Sequence, residues 1–202
     1  MRLGLFGGTF DPVHLGHLLL AEQCREQCRL DQVWFVPAGT PPHKLGLPLT
    51  SGNQRAEMLE FAVAGVREFA VERLEIRRTG PSFTVETLRQ LRQERPDDEL
   101  FFLVGADSLT DLPLWREPRE IAALSSLIVV NRGGAPSPRL ELLEPHVGAE
   151  AVSRIQVVQM PGIEISASDL RRRVRAGLSI RYLVPRAVEQ YILENRLYRD
   201  EQ

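Results

Sequence analysis

Two histidines three residues apart, His14 and His17, follow a Gly7-Gly8-Thr9 turn and enclose Gly16. That grouping suits phosphate chemistry. Glycines between a strand and a helix let backbone N–H groups approach an anion, and the helix N-terminus adds positive potential. A spacing of three puts both imidazoles on one face of the helix's first turn. Gly16 leaves a gap between them where a flat ring or a phosphate can come close. Imidazole N–H groups aimed at a phosphate can donate to oxygens whose charge rises in a transition state. The segment is not the G-x-G-x-x-G dinucleotide fingerprint, and it lacks the Lys-Ser/Thr of a P-loop. For either histidine alone, capping or packing is the plainer reading. Zinc is disfavoured, because no third ligand stands in helical register.

Further along the chain, other side chains suit the same chemistry. Of 25 basic residues only Lys44 is lysine. The exception marks a place for a compact, flexible ammonium, with chance as the competing account. Ser166 and Ser168 open a helix, where hydroxyls and free N–H groups serve as caps, as phosphate ligands, or as both. Arg171 lies one turn into that helix and can fork onto a phosphate, whereas Arg172, Arg173 and Arg175 read as a solvated face. Asp107 follows a buried strand at its carboxyl end, where a carboxylate accepts from ribose hydroxyls or caps the next helix. Trp115 offers a flat ring or core packing. Thr84 begins a helix after Gly80-Pro81-Ser82, and a helix N-terminus favours a carboxylate over a neutral amide by about 1 kcal/mol. Cys24 and Cys28 lack a second Cys/His pair at zinc spacing and read as small, semi-buried helix residues.

The elements that must position these groups alternate. Segments at 3–6, 33–37, 70–76, 100–104, 127–130 and 155–158 read as strands, most of them short apolar runs. Helical patterns fall at 14–28, 53–66, 84–95, 168–176 and 185–194, with Gly177 as a C′ glycine and Pro185 at a first helical position. Residues 38–50 form a long Gly/Pro-rich loop, and 132–138 a second one. Continuous apolar strands alternating with helices predict an α/β fold, a doubly wound, mostly parallel sheet with helices on both faces. Such sheets bind ligands at the carboxyl ends of their strands, where the strand order reverses. Residues 1–202 read as a single domain, its helical part from about 166 packed on the same core. With 43% hydrophobic and 26% charged residues and a net charge of −2, the chain is average for a globular protein. The pI near 6.1 disfavours a nucleic-acid binder. The apolar stretches are too short for a membrane span or a signal peptide, so a cytoplasmic location is expected. Whether copies associate into a homo-oligomer is left open.

His14-Leu15-Gly16-His17 resembles the T/H-x-G-H element of a nucleotidyltransferase superfamily built on a Rossmann-like sheet. Pro41-Pro42-His43-Lys44 looks like the P-P-H-K element of bacterial nicotinate-nucleotide adenylyltransferases. Residues 79–88 resemble that family's G-P-S-Y-T-x-x-T-L segment, with Phe83 in place of the usual Tyr. Gly105-Ala106-Asp107 with Leu112 and Trp115-Arg116, then Ile165 to Arg171, and finally Tyr182 to Pro185 with Tyr191-Ile192, match in the right order. Ala167-Ser168 departs from the family's Ser-Thr but keeps the second hydroxyl.

The resemblance implies adenylyl transfer from ATP to nicotinate mononucleotide, giving deamido-NAD and pyrophosphate, a step of NAD biosynthesis. It implies His14, His17, Lys44 and Arg171 as catalytic residues. ATP would meet Gly7, Gly8, Thr9, Phe10, Gly16, Gly105, Asp107, Ile165, Ser166 and Ser168. Nicotinate mononucleotide would meet Thr9, Phe83, Thr84, Trp115 and Arg132. Mg²⁺ would arrive with ATP, without protein side chains as ligands, and no nucleic acid or membrane is a partner. Another adenylyltransferase of the superfamily, such as the phosphopantetheine enzyme, is one alternative. A non-catalytic nucleotide-binding protein is the other. A domain related to RNA-binding synthetases is disfavoured by charge and length.

Overall fold

The computed structural model describes residues 1–44, 46–134 and 136–199. Leu45 of the 38–50 loop, Ala135 of the 132–138 loop and Asp200–Gln202 of the expected domain lie outside them. Six strands form one sheet: β1 (Arg2–Gly8), β2 (Gln32–Pro37), β3 (Phe69–Val71), β4 (Glu99–Gly105), β5 (Ser126–Arg132) and β6 (Gln156–Met160). All five pairings are parallel, in the order β3-β2-β1-β4-β5-β6. The chain winds outward through β2 and β3, then returns to the other side of β1 for β4. That reversal parts the connections leaving β1 and β4 and opens a crevice above their carboxyl ends. The doubly wound α/β expectation holds.

Alternate strand residues feed two cores, as the pleat requires. Phe6, Phe35, Leu103 and Ile128 pack on one face against α1 (Leu15–Gln27), α2 (Gly52–Val63), α9 (Ala167–Arg175) and α10 (Arg186–Glu194). Leu3, Leu5, Phe102 and Val129 pack on the other against α3 (Leu74–Arg77), α4 (Thr84–Glu94), α6 (Pro118–Leu124) and α7 (Glu144–Val147). Burial on both faces explains why these strands are apolar throughout rather than alternating. Short α5 (Ala106–Leu109) and α8 (Ala149–Ser153) complete the helices among the described residues. Residues beyond 166 join the first core through Leu170, Val174, Val184, Val188 and Ile192. The same region reaches the first helix directly, where the Leu15 N–H donates to the Leu183 carbonyl at 3.0 Å. No helix among the described residues is long and apolar enough to cross a membrane.

Several local expectations need correction. The 70–76 strand ends at Val71, and α3 takes over at Leu74. One helical turn there sends Leu74 into the core and brings buried Glu75 to the Thr87 hydroxyl, which donates to Glu75 Oε1 at 2.5 Å. The 38–50 loop contains a 3₁₀ turn at Pro42–Lys44. Pro185 is the N-cap of α10 rather than its first residue, and Gly105, not Asp107, caps α5. Arg173 is no freely solvated residue, since its guanidinium donates to the Ser179 carbonyl at 2.8 and 3.0 Å. Gly177 has the left-handed φ of +70° expected at C′.

Candidate active site

A cleft of about 720 Å³ lies over the carboxyl ends of β1 and β4. Gly7, Gly8, Thr9, His14, Gly16 and His17 line its floor and first wall. Gly8 is held to glycine by its neighbour, because a Cβ there would stand 2.8 Å from the Phe10 ring. Phe10 itself is buried at a left-handed φ of +50°. Its ring lies edge-on to Phe6 at 5.3 Å and to His17 at 5.0 Å. The Phe10 side chain therefore supports His17 from the core and is not part of the cleft wall.

His14 is the N-cap of α1, with extended backbone, so one histidine does stand at the capping position. Its ring stacks on His17 at 3.6 Å and 22°. The His14 backbone N–H donates to His17 Nδ1 at 3.2 Å. An accepting Nδ1 places the proton of a neutral His17 on Nε2, which becomes the donor available to a ligand. His14 Nδ1 is buried without a hydrogen-bond partner. A buried polar atom left open costs stability, and at a cleft it marks where a ligand would bind. Burial, with Arg132 nearby, lowers the His14 imidazolium to a pKa of about 4. His17 is also pushed well down, by burial first and then by His14 and Arg132. Both rings are thus neutral near pH 7. Gly16 keeps the gap open, since a Cβ there would come within 3.1 Å of His14 Nδ1.

Phe83, Thr84, Trp115 and Arg132 line the cleft together with Gly105, Asp107 and Ile165. Phe83 caps α4 without a side-chain hydrogen bond, and Thr84, the first residue of that helix, lines the cleft. The Arg116 guanidinium lies 4.9 Å from the Phe83 ring centre and bonds Glu86 Oε1 at 2.8 Å. Trp115 does two things at once: its ring borders the cleft and meets Phe102 edge-on at 5.8 Å. Asp107 is exposed in the first turn of α5, folded back so closely that a Cβ on Gly105 would clash with its Oδ1 at 2.4 Å.

Lys44, Ser166, Ser168 and Arg171 are outside the cleft lining, yet two of them adjoin it. Lys44 Nζ donates to Thr9 Oγ1 at 2.9 Å, and Arg171 Nη1 donates to the Asp11 carbonyl at 2.6 Å. Burial and the neighbouring Arg171 lower the Lys44 ammonium from its ordinary pKa, while Asp11 acts in the opposite sense. These two cations therefore meet beside the turn that leads from β1 into α1. Ser166 caps α9, accepting from Asp169 N–H at 3.2 Å, and its hydroxyl lies 3.2 Å from that of Ser168.

Residues 5–173 match a family model described as cytidylyltransferase-like. A probable nicotinate-nucleotide adenylyltransferase from Thermomicrobium roseum is 50% identical over 198 residues, spanning 98% of this chain and 92% of its own. The chain belongs to the nicotinate-nucleotide adenylyltransferase family. It is therefore a nucleotidyltransferase. A second family member, from Thermus thermophilus, is 46% identical over 204 residues and is matched along 98% of this chain and 100% of its own. A solved Plasmodium falciparum nicotinic acid mononucleotide adenylyltransferase, complexed with NaAD, shares the fold with a TM-score of 0.81. The superposition covers 98% of this chain and 97% of that one at 18% identity.

In this family member the residues that brace the cleft escaped the reading of its sequence. Arg55, 1% exposed, donates to the carbonyls of Thr50, Thr9 and Ala38 at 2.9, 2.7 and 2.7 Å. It ties the segments after β1 and β2 to the start of α2. Ser82 Oγ accepts from Gly39 N–H at 2.9 Å and Thr40 N–H at 3.2 Å, joining the loop after β2 to the entry of α4. Burial raises the Glu75 carboxyl, against hydrogen bonds from Thr87 and Ser82. An arginine inside an amphipathic helix looks like any solvated one in sequence. Only its place at position 55, beside Ala56 and one turn before Leu59 on the buried face, hints at burial.

Proposed function

We propose that this chain transfers the adenylyl group of ATP to nicotinate mononucleotide, releasing deamido-NAD and pyrophosphate in NAD biosynthesis. The observation that carries the reading is the neutral, stacked His14–His17 pair in one cleft with the open N-terminus of α4. The first suits a reacting phosphate, and the second suits a carboxylate on the acceptor. The cleft, at about 720 Å³, falls within the range of nucleotide-sized pockets.

The nucleophile is the acceptor's own 5′-phosphate. With a second pKa of about 6 it is already anionic near neutral pH, so no general base is needed. The chain positions the two substrates and stabilises charge at the α-phosphate, in line with the leaving group. His17 Nε2–H donates to the α-phosphate and His14 to the phosphates beside it. Backbone N–H groups of Gly7 to Thr9 add further donors. Lys44 and Arg171, standing together beyond Thr9, take the departing pyrophosphate, with the Ser166 and Ser168 end of α9 nearby. Asp107 accepts from the ribose hydroxyls of ATP. Trp115 stacks on the pyridine ring, and Arg132 meets the mononucleotide's phosphate. Among the described residues no group of three or more His, Cys, Asp or Glu stands together as a metal cage. Mg²⁺ would arrive with ATP as part of the substrate, where it would neutralise triphosphate charge.

The test is pyrophosphate release with MgATP and either nicotinate or nicotinamide mononucleotide, with the dinucleotide identified. The acid should exceed the amide at least ~10-fold in kcat/KM, equivalent to about 1.4 kcal/mol at the α4 N-terminus. Equal use of the two would discard the carboxylate account. No dinucleotide from either would discard the function.

A further inference from the structure

The proposed mechanism leaves the segment after α10 without a task, yet one of its residues reaches the turn that leads to the histidines. Two residues there take left-handed backbone, Arg196 at φ +53° and Tyr198 at φ +63°. Side chains rarely adopt that conformation, so the surrounding packing must hold it. Tyr198 packs on the first core, and its hydroxyl donates to Asp11 Oδ1 at 2.7 Å. Asp11 is 2% exposed and fully engaged. Its Oδ2 accepts from Thr50 N–H at 3.3 Å, and its carbonyl accepts from Arg171 at 2.6 Å. Its charge also supports the ammonium of Lys44 and the guanidinium of Arg55. Asp11 thus links the turn between Thr9 and His14 with the Lys44–Arg171 pair.

We propose that Tyr198 is a positioning residue for adenylyl transfer, its hydroxyl fixing the Asp11 carboxylate and, through it, that turn and that pair of cations. The inference rests on the reading under Proposed function. Without the hydroxyl, Asp11 Oδ1 becomes a buried acceptor that has lost its donor. The carboxylate then turns to the nearest cations and draws Lys44 and Arg171 away from the leaving pyrophosphate. Tyr191, on α10, supplies the contrast. Its hydroxyl bonds Glu57 on α2 rather than Asp11.

Steady-state rates with MgATP and nicotinate mononucleotide test the idea in the full chain. Tyr198→Phe should lower kcat about tenfold while the mononucleotide KM moves by no more than about twofold. Tyr191→Phe should keep the parental kcat. In an Asp11→Asn background, adding Tyr198→Phe should cost no more than about twofold, because the two residues act as one unit. Amide hydrogen exchange across residues 9–14 reads the latch without turnover and should quicken in Tyr198→Phe only. Parental kcat in Tyr198→Phe, equal losses in the two tyrosine variants, or parental exchange at 9–14 would each overturn the proposal. A chain that makes no dinucleotide fails the functional reading, and the exchange result still decides whether Tyr198 holds the turn.

Discussion

Burial leaves the His14 and His17 rings uncharged near pH 7. A neutral imidazole still donates one hydrogen bond, and the hydrogen bond from the His14 backbone to His17 Nδ1 aims that donation through Nε2. His17→Ala removes a donor to charge that grows during transfer, so kcat should fall at least ~10²-fold with a smaller change in KM. Steady-state kinetics check this, and a near-normal kcat would remove His17 from the chemistry. Neutrality also has a stability consequence. The folded pKa of His14 is about 4, below the ordinary value of 6.5. Well above pH 6.5 the ring is neutral whether the chain is folded or not, and the native state keeps its full stability. As pH falls from 6.5 toward 4, the unfolded chain takes up the proton first, and stability is lost. Thermal melts at pH 7 and pH 5 should therefore show a larger drop for the parent than for a His14→Asn, His17→Asn double variant. Equal drops would contradict the buried, neutral pair.

Among the elements, the loop after β2 is the tightest fit. A Cβ on Gly39 would stand 2.2 Å from the Glu75 carbonyl oxygen, and that obstacle is backbone rather than a flexible side chain. Gly39→Ala must push α3 away from the loop and strain the Ser82 bonds that hold it. A loss of about 2 kcal/mol and a Tm lower by about 5 °C are expected, read by calorimetry. An unchanged Tm would mean that the loop yields freely. The long elements were legible because their patterns are long. Leu100 to Val104 is apolar throughout, as a strand covered on both faces must be, and Val85, Leu88 and Leu91 repeat on one side of α4. The short helices between 106 and 153 were not, because four to seven residues carry too little periodicity to separate a helix from a loop. The segment 70–76 misled for another reason. Its apolar residues look like one strand, but Leu74 and Glu75 answer to different neighbours, and only a turn of helix satisfies both.

Over the whole molecule, the order β3-β2-β1-β4-β5-β6 explains why residues so far apart in sequence share one cleft. The switch between β1 and β4 gathers the segments that follow them, and α4 and the end of β5 bring Thr84 and Arg132 to the same opening. The cleft's lining was largely visible in the sequence, since its motifs are short and contiguous. Its bracing was not. Arg55 and Asp11 act through contacts between distant segments, and no local pattern records them. The bond from Leu15 to Leu183, with that from Arg171 to the Asp11 carbonyl, also bears on synthesis. The histidine motif leaves the ribosome well before two of its supports, Arg171 and Leu183. A nascent chain stalled short of Arg171 already carries both histidines, most of the cleft-lining residues and the bonds from Lys44, Thr50 and Arg55 to the turn, but lacks those to Arg171 and Leu183. The turn gains its bonds to Arg171 and Leu183 only once α9 and the segment after it have been made.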